Sequence, residues 1–84
     1  MPEAAKDQGV LNHIQELVTE EHRLYGQAAW AVLTDAEQAR LKTVEVELDQ
    51  CWDLLRQRRG LRDAGQDPNV AKVRPADIVE KYEQ

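Results

Sequence analysis

The sequence predicts an all-α protein, an antiparallel helical hairpin of two long helices followed by a short C-terminal helix. Apolar residues recur at three- and four-residue spacing in two long stretches, as on one face of a helix, rather than alternating as in a strand. A helix-start signal, TDAE at residues 34–37, separates the two stretches. The connection before it is too short to let the helices separate, so we expect them to pack antiparallel.

The first long helix is predicted over residues 9–29, after a flexible N-terminus at residues 1–8. Gly26 weakens its C-terminal end, and Trp30 would project away from the apolar stripe, so the chain is expected to turn there. The stripe consists of Val10, Leu11, Ile14, Leu17, Val18, Leu24, Tyr25 and Ala28.

The second long helix is predicted over residues 34–62. Thr34 is placed as the N-cap residue and Glu37 stands three positions later, which is the pattern of a capping box. Its stripe consists of Leu41, Val44, Leu48, Cys51, Trp52 and Leu55. We expect Leu48 and Leu55 in the core, and Trp52 to cover the edge of that core.

A C-terminal arm is predicted over residues 66–84, within a single domain that spans residues 1–84. Asp67 and Pro68 suit a turn, and Pro75 suits the first position of a short helix that would carry Ile78, Val79 and Tyr82 on one face.

Alignment about the turn predicts which residues of the two long helices meet. Leu17 is expected near Val44, Ile14 near Leu48, and Leu11 near Cys51 and Trp52. Glu21, the charge that interrupts the first stripe, falls opposite Arg40 in this alignment, so we expect an ion pair that sets the register.

The apolar face of the first helix is wider than one partner helix can cover, which predicts a homodimer. Eighty-four residues form a thin core, and a second hairpin would complete a four-helix bundle. The residues predicted to mediate this self-association are Val10, Leu17, Leu24 and Trp30.

Four arginines, Arg56, Arg58, Arg59 and Arg62, cluster at the end of the second helix in a chain of net charge -5. Cations complement the dipole at a helix C-terminus, and the antiparallel fold would bring Glu3 and Asp7 to the same end, so a structural role is the first interpretation. The alternative is a contact with another protein, nucleic acid or another polyanion. The arginine cluster lacks the interleaved aromatic residues that stack on the bases of single-stranded nucleic acid.

Catalytic, metal and cofactor sites are not expected. Cys51 lies on an apolar helix face with no histidine at helical spacing, and the chain has no Gly-rich phosphate loop or cysteine pair. His13 and His22 are nine residues apart and fall on opposite faces of one helix, so one ion cannot bind both from the same helix, although an oligomer could still bring copies of His22 together. Sixteen acidic residues against eleven basic ones argue against a surface that binds nucleic acid or membranes throughout.

The expected compartment is the cytoplasm, with no membrane contact. A single cysteine excludes an intramolecular disulfide, which fits a reducing setting. The N-terminal residues show no signal-peptide core, and no apolar run approaches the roughly 20 residues needed to cross a bilayer.

Three segments, LNHIQELVTEEHRL, LDQCWDLLRQRR and VRPADIVEKY, resemble a family of short actinobacterial proteins known as domain of unknown function 2630. The likeness runs from about residue 10 to the C-terminus, and LDQCWDLLRQRR is its most specific part. The resemblance implies a small cytoplasmic bacterial protein and carries over no catalytic residues.

The sequence thus predicts a non-enzymatic structural or protein-interaction module that self-associates and presents its ends to another protein. The alternative is a small regulator that binds nucleic acid through the arginine cluster. Salt separates the two, because phosphate contacts weaken steeply with ionic strength and an apolar interface does not.

Overall fold

A computed structural model describes residues 2–82 of the chain, with side chains described over residues 6–79. Helix α1 spans Pro2–Ala28, α2 spans Asp35–Asp63, a 3₁₀ turn spans Pro68–Val70, and α3 spans Ala76–Tyr82. Helix α2 lies at the centre, because α1, the 3₁₀ turn and α3 all pack against it. The prediction of an all-α protein, two long helices in contact plus a short C-terminal helix, is confirmed.

Helix α1 begins at Pro2, seven residues before the predicted start. Residues 2–8 are therefore helical, where a flexible N-terminus is expected from the sequence. Proline suits the first turn of a helix, and the alanines and lysine that follow are good helix formers. Asp7 is also anchored by Arg58, which holds this turn of α1 against α2.

The start of α2 has the predicted capping box. The Thr34 hydroxyl accepts from the Glu37 backbone N–H at 3.1 Å, and the Glu37 carboxylate accepts from the Thr34 backbone N–H at 2.8 Å. Two N–H groups that lack partners in the helix are thereby satisfied. At the other end, Gly65 has a φ of 74°, a left-handed conformation that glycine adopts without a steric cost and that turns the chain toward the arm.

The core is a narrow seam between α1 and α2. Ile14, Leu17, Val44 and Leu48 form one buried cluster, as the alignment predicts, with Val10, Val18, Cys51 and Leu55 packed at its edge. Leu24 and Val79 are also buried. Leu11 and Trp52 are 40% and 44% exposed, so Trp52 lies at the margin of the hairpin rather than within its core.

The ion pair that fixes the register involves Glu20 and not Glu21. The Arg40 Nη2 donates to Glu20 Oε1 at 2.7 Å, and a second bond joins the same two side chains. His13 lies 3.9 Å from Glu47 in the same register. Adjacent residues are about 100° apart on a helix, so only one of two neighbouring glutamates can face a given partner.

Candidate interaction surfaces

Arg58 lies buried where three segments meet, and is only 4% exposed. Its Nε donates to Asp7 Oδ1 of α1 at 2.5 Å, and its Nη1 donates to the Pro68 carbonyl at 3.2 Å and to Asn69 Oδ1 at 3.3 Å. One guanidinium therefore joins α1, α2 and the 3₁₀ turn. A fixed fork of five N–H donors suits this role, which a lysine could not reproduce.

Arg62 supports the same arrangement, which we call the clasped end: Asp7, Arg58, Arg62, Pro68 and Asn69. Arg62 Nη1 lies 2.8 Å from Asp7 Oδ2, and both arginines lower the pKa of the Asp7 carboxyl, the Arg58 hydrogen bond most strongly. Lys6 adds a bond to Asn69 at 3.0 Å. The interpretation of the cluster as the polar end of the helix pair thus fits Arg58 and Arg62. Glu3, also expected there, lies outside the described side chains.

Arg56 and Arg59 are exposed and belong to a different surface. Arg59 is about 100° around α2 from Arg58, and Arg56 is about 160° from it, so neither points into the clasped end. The four arginines treated as one cluster in the sequence are therefore divided: Arg58 is buried, Arg62 is exposed but paired with Asp7, and Arg56 and Arg59 face the solvent.

A second buried ion pair holds the arm on α2 and was not expected from the sequence. Asp53 is 2% exposed, and Arg74 donates two hydrogen bonds to its carboxylate, one of 2.8 Å. Gln57 donates to both Asp53 and the Lys72 carbonyl at 2.9 Å, and Gln50 donates to the Arg74 carbonyl at 3.2 Å. The Arg74 hydrogen bond is the main cause of the lowered pKa of Asp53.

The sequence held a signal for this contact. Gln50, Asp53 and Gln57 recur at three- and four-residue spacing, which places amide donors and one carboxylate on a single face of α2. Such a face suits an extended segment, whose backbone carbonyls need donors.

The predicted self-association residues are distributed between core and surface. Leu17 and Leu24 are 3% and 1% exposed, because each packs inside the hairpin of its own chain. Val10 is half-buried against the core. Trp30 is 92% exposed, so of these four residues it is the one fully available to a partner.

Trp30 belongs to the turn end, residues 29–34 between the two long helices. Val32 is 90% exposed beside it, so two large apolar side chains stand in water at this end of the hairpin. The turn is held by backbone bonds such as Trp30 N–H to the Gln27 carbonyl at 3.0 Å.

A further apolar surface runs along one side of the hairpin. The Tyr25 hydroxyl donates to Glu45, which identifies the side that both residues share. Val18 and Leu11 precede Tyr25 by seven and fourteen residues, and Trp52 follows Glu45 by seven. Seven residues are close to two helical turns, so all four lie on this side. We call this surface, Leu11, Val18, Tyr25 and Trp52, the side face.

Cys51 carries the single thiol of the chain and lies partly buried on α2. Burial is the main cause that raises the pKa of the Cys51 thiol, which disfavours the reactive thiolate. Over residues 6–79, no three His, Cys, Asp or Glu side chains are grouped as metal ligands. None of the helices within residues 2–82 carries an apolar stretch that could cross a membrane.

Comparison with known proteins places the chain in a family. The model of a family described as "Protein of unknown function (DUF2630)" matches residues 6–84. An uncharacterised protein of Mycobacterium tuberculosis and one of Mycobacterium bovis are each 53% identical to the chain over 77 residues, which cover 90% of this chain and 88% of each relative. No solved structure matches it. The chain belongs to the DUF2630 family, as the sequence resemblance to short actinobacterial proteins indicates.

Proposed function

We propose that the chain is a non-enzymatic protein-interaction module that associates with a second copy of itself. The observation that carries the proposal is the side face, on which Leu11, Trp52 and Tyr25 are 40%, 44% and 51% exposed. Single exposed apolar residues are ordinary, but several large ones that recur along one side of a hairpin are typical of an interface.

The polar groups support a structural rather than a catalytic role. Among the described side chains, the two buried charges, Asp53 and Arg58, are held in ion pairs that join segments of the same chain. Asp53 lines a small cleft with Arg56, Gln57 and Arg74, but its carboxylate accepts the bonds that hold the arm, and the Arg58 guanidinium donates those that hold α1 to α2. We place the module in the cytoplasm, because Cys51 is single and half-buried.

Polyanion binding is the second candidate, and the exposure of Arg56 and Arg59 favours it. Arg58 and Arg62 weigh against it, since both already bind Asp7. A phosphate would need to compete with that carboxylate or bind through the two remaining arginines alone, which gives a weak and strongly salt-dependent contact.

Sedimentation equilibrium from about 5 to about 500 µM tests the proposal, since this range spans the affinity of small interfaces. We expect a reversible monomer–dimer equilibrium. Fluorescence anisotropy with random duplex and single-stranded DNA at about 50 mM salt tests the second candidate. A chain that stays monomeric throughout and binds DNA at micromolar concentration would replace the first function by the second.

A further inference from the structure

We propose that two copies pack side face to side face about a twofold axis that lies in the interface, perpendicular to the helices, and crosses α2 at Trp52 and α1 near Leu11. This inference rests on the proposed self-association and specifies its geometry. Each long helix then meets its own counterpart in antiparallel orientation, which gives a four-helix arrangement.

The charge pattern of α2 carries the inference. The α2 residues that border or belong to the side face follow each other at spacings of four, three, four and three: Glu45, Asp49, Trp52, Arg56 and Arg59. They occupy a sector of about 80° on the helix. The row is acidic before Trp52 and basic after it, with Trp52 at its midpoint.

A row that is acidic at one end and basic at the other complements itself when reversed. The proposed axis reverses the row about Trp52, so Glu45 of one copy meets Arg59 of the second copy, and Trp52 meets its counterpart. Asp49 likewise comes opposite Arg56. Glu45 accepts a hydrogen bond from Tyr25 and Asp49 also has a contact within its own chain, but a carboxylate has acceptor sites for more than one donor, so both can still face an arginine. Opposite charges brought together in this way fix the orientation of an interface.

The other in-plane axis, parallel to the helices, offers no such match. Rotation about this axis would leave every residue at the same height along the helices and would set the α2 row against α1 of the second copy. The α1 row on this side is Leu11, Gln15, Val18, His22 and Tyr25, which contains no Asp, Glu, Lys or Arg. The charges of α2 can therefore be complemented on this face only by α2 of another copy.

The arm leaves this surface open. Gln50, Asp53 and Gln57, which hold the arm, lie about 100–160° around α2 from Trp52. A second hairpin could approach the side face without displacing the Arg74 contact.

The size of the surface sets the expected affinity. The row from Glu45 to Arg59 is about 21 Å long at 1.5 Å per residue, and two helices packed about 10 Å apart make a patch of roughly 400 Å² per copy. This is about half of what a standard-size interface buries per partner. We expect a micromolar dimer that weakens in salt.

A charge-reversal experiment by sedimentation equilibrium tests the axis. In a homodimer of Glu45→Arg, each contact between positions 45 and 59 would bring two arginines together. In a homodimer of Arg59→Glu, each such contact would bring two glutamates together. We expect each single variant to weaken the homodimer about tenfold or more. An equimolar mixture of the two variants should form a heterodimer close to wild-type affinity, and the double variant should recover the homodimer, because both restore opposite charges.

Controls separate this geometry from the proposed function. Glu16→Arg makes the same charge change on a side chain that is 82% exposed and borders the opposite flank, near His13, and should leave the dimer unchanged. Trp52→Glu, which does not touch the Tyr25–Glu45 bond, should abolish the dimer while far-UV circular dichroism stays helical. Two results would overturn the axis and leave self-association standing. One is a Trp52→Glu variant that still dimerises like wild type, and the other is a mixture of the two single variants that does not restore dimerisation. A wild-type monomer at about 500 µM would overturn both the axis and self-association.

Discussion

The two ends of the hairpin differ in what they bury: the clasped end buries a charged side chain, and the turn end leaves apolar side chains exposed. At the clasped end, Arg58 is 4% exposed and bonded to Asp7, although arginine is among the residues least often buried. At the turn end, Trp30 and Val32 are 92% and 90% exposed, although both are apolar. Polarity alone would place these residues the other way round.

The difference follows from the number of segments that meet at each end. Three segments converge on Arg58, so every N–H bond it needs is available from a carboxylate, a carbonyl or an amide oxygen. Within residues 2–82 a short connection crosses the turn end, and the Trp30 side chain stays almost fully exposed there. A charge can be buried where chain segments supply partners, and an apolar side chain stays in water where none covers it.

Leu48→Ala should have the largest effect on stability and sets the scale against which substitutions at the two ends can be compared. Leu48 is 7% exposed in the cluster between them, so we expect a loss of about 2 to 5 kcal/mol in the free energy of unfolding. Urea denaturation followed by circular dichroism measures it. Val32→Ala is the matched control on an exposed side chain and should change stability by less than about 0.5 kcal/mol. Equal effects of the two substitutions would show that the seam is misplaced.

Arg58→Gln should come next, at about 2 to 4 kcal/mol, because it leaves Asp7 and the Pro68 carbonyl without their buried donor. Arg59→Gln, one residue on and exposed, should cost less than about 0.5 kcal/mol. The two variants together distinguish the buried, structural arginine from the exposed one. Similar losses from both variants, measured by the same urea titration, would contradict that distinction.

The ion pairs of Asp7 and Asp53 should also make stability depend on pH. Arg58 lowers the pKa of Asp7 in the folded chain, and Arg74 does the same for Asp53, from a usual value of 3.8. A carboxyl whose pKa is lowered by folding contributes stability that is present above its unfolded pKa and is lost as the pH falls through the folded value. The melting temperature of the wild type should therefore fall as the solution is acidified below about pH 4.

Asp7→Asn removes one of these two groups and provides the test. The variant should melt lower than wild type at neutral pH and lose less on acidification, because its residue 7 has no proton to take up. Glu16→Gln, at a side chain that is 82% exposed, should follow the wild-type curve. If the melting temperatures of wild type and Asp7→Asn fall equally with decreasing pH, groups other than Asp7 cause the acid sensitivity.

The architecture could be predicted from the sequence because it depends on local signals. Stripe spacing and the Thr34 capping box specify two helices, and a short connection leaves them antiparallel. The start of α1 at Pro2 had only part of its cause in the local sequence: Pro2 and the residues after it favour a helix, but the contact that holds this turn joins Asp7 to Arg58, 51 positions away. Glu20 rather than Glu21 pairs with Arg40 for a similar reason, because register alone does not resolve a rotation of about 100°.

The candidate surfaces were harder to predict than the helices. Leu17 and Leu24 have the apolar pattern of an interface, yet both are already buried within the hairpin of their own chain. The side face is detected only once the Tyr25–Glu45 bond shows which flanks of the two helices coincide. Sequence periodicity identifies an apolar stripe, but which part remains for a partner depends on how the hairpin itself is rotated.

Trp30→Ser should have the smallest effect and completes the comparison at the turn end. Because Trp30 is 92% exposed, we expect a change in unfolding free energy within about 0.5 kcal/mol, against several times that for Arg58→Gln. The sequence assigns Trp30 to self-association, whereas the side face ends one turn earlier at Tyr25. If the side face is the interface, Trp30→Ser should also leave the sedimentation-equilibrium dimerisation constant unchanged, and Trp52→Glu should not. Loss of the dimer in Trp30→Ser at unchanged stability would move the interface to the turn end, and the exposed tryptophan and Val32 would then be its anchor.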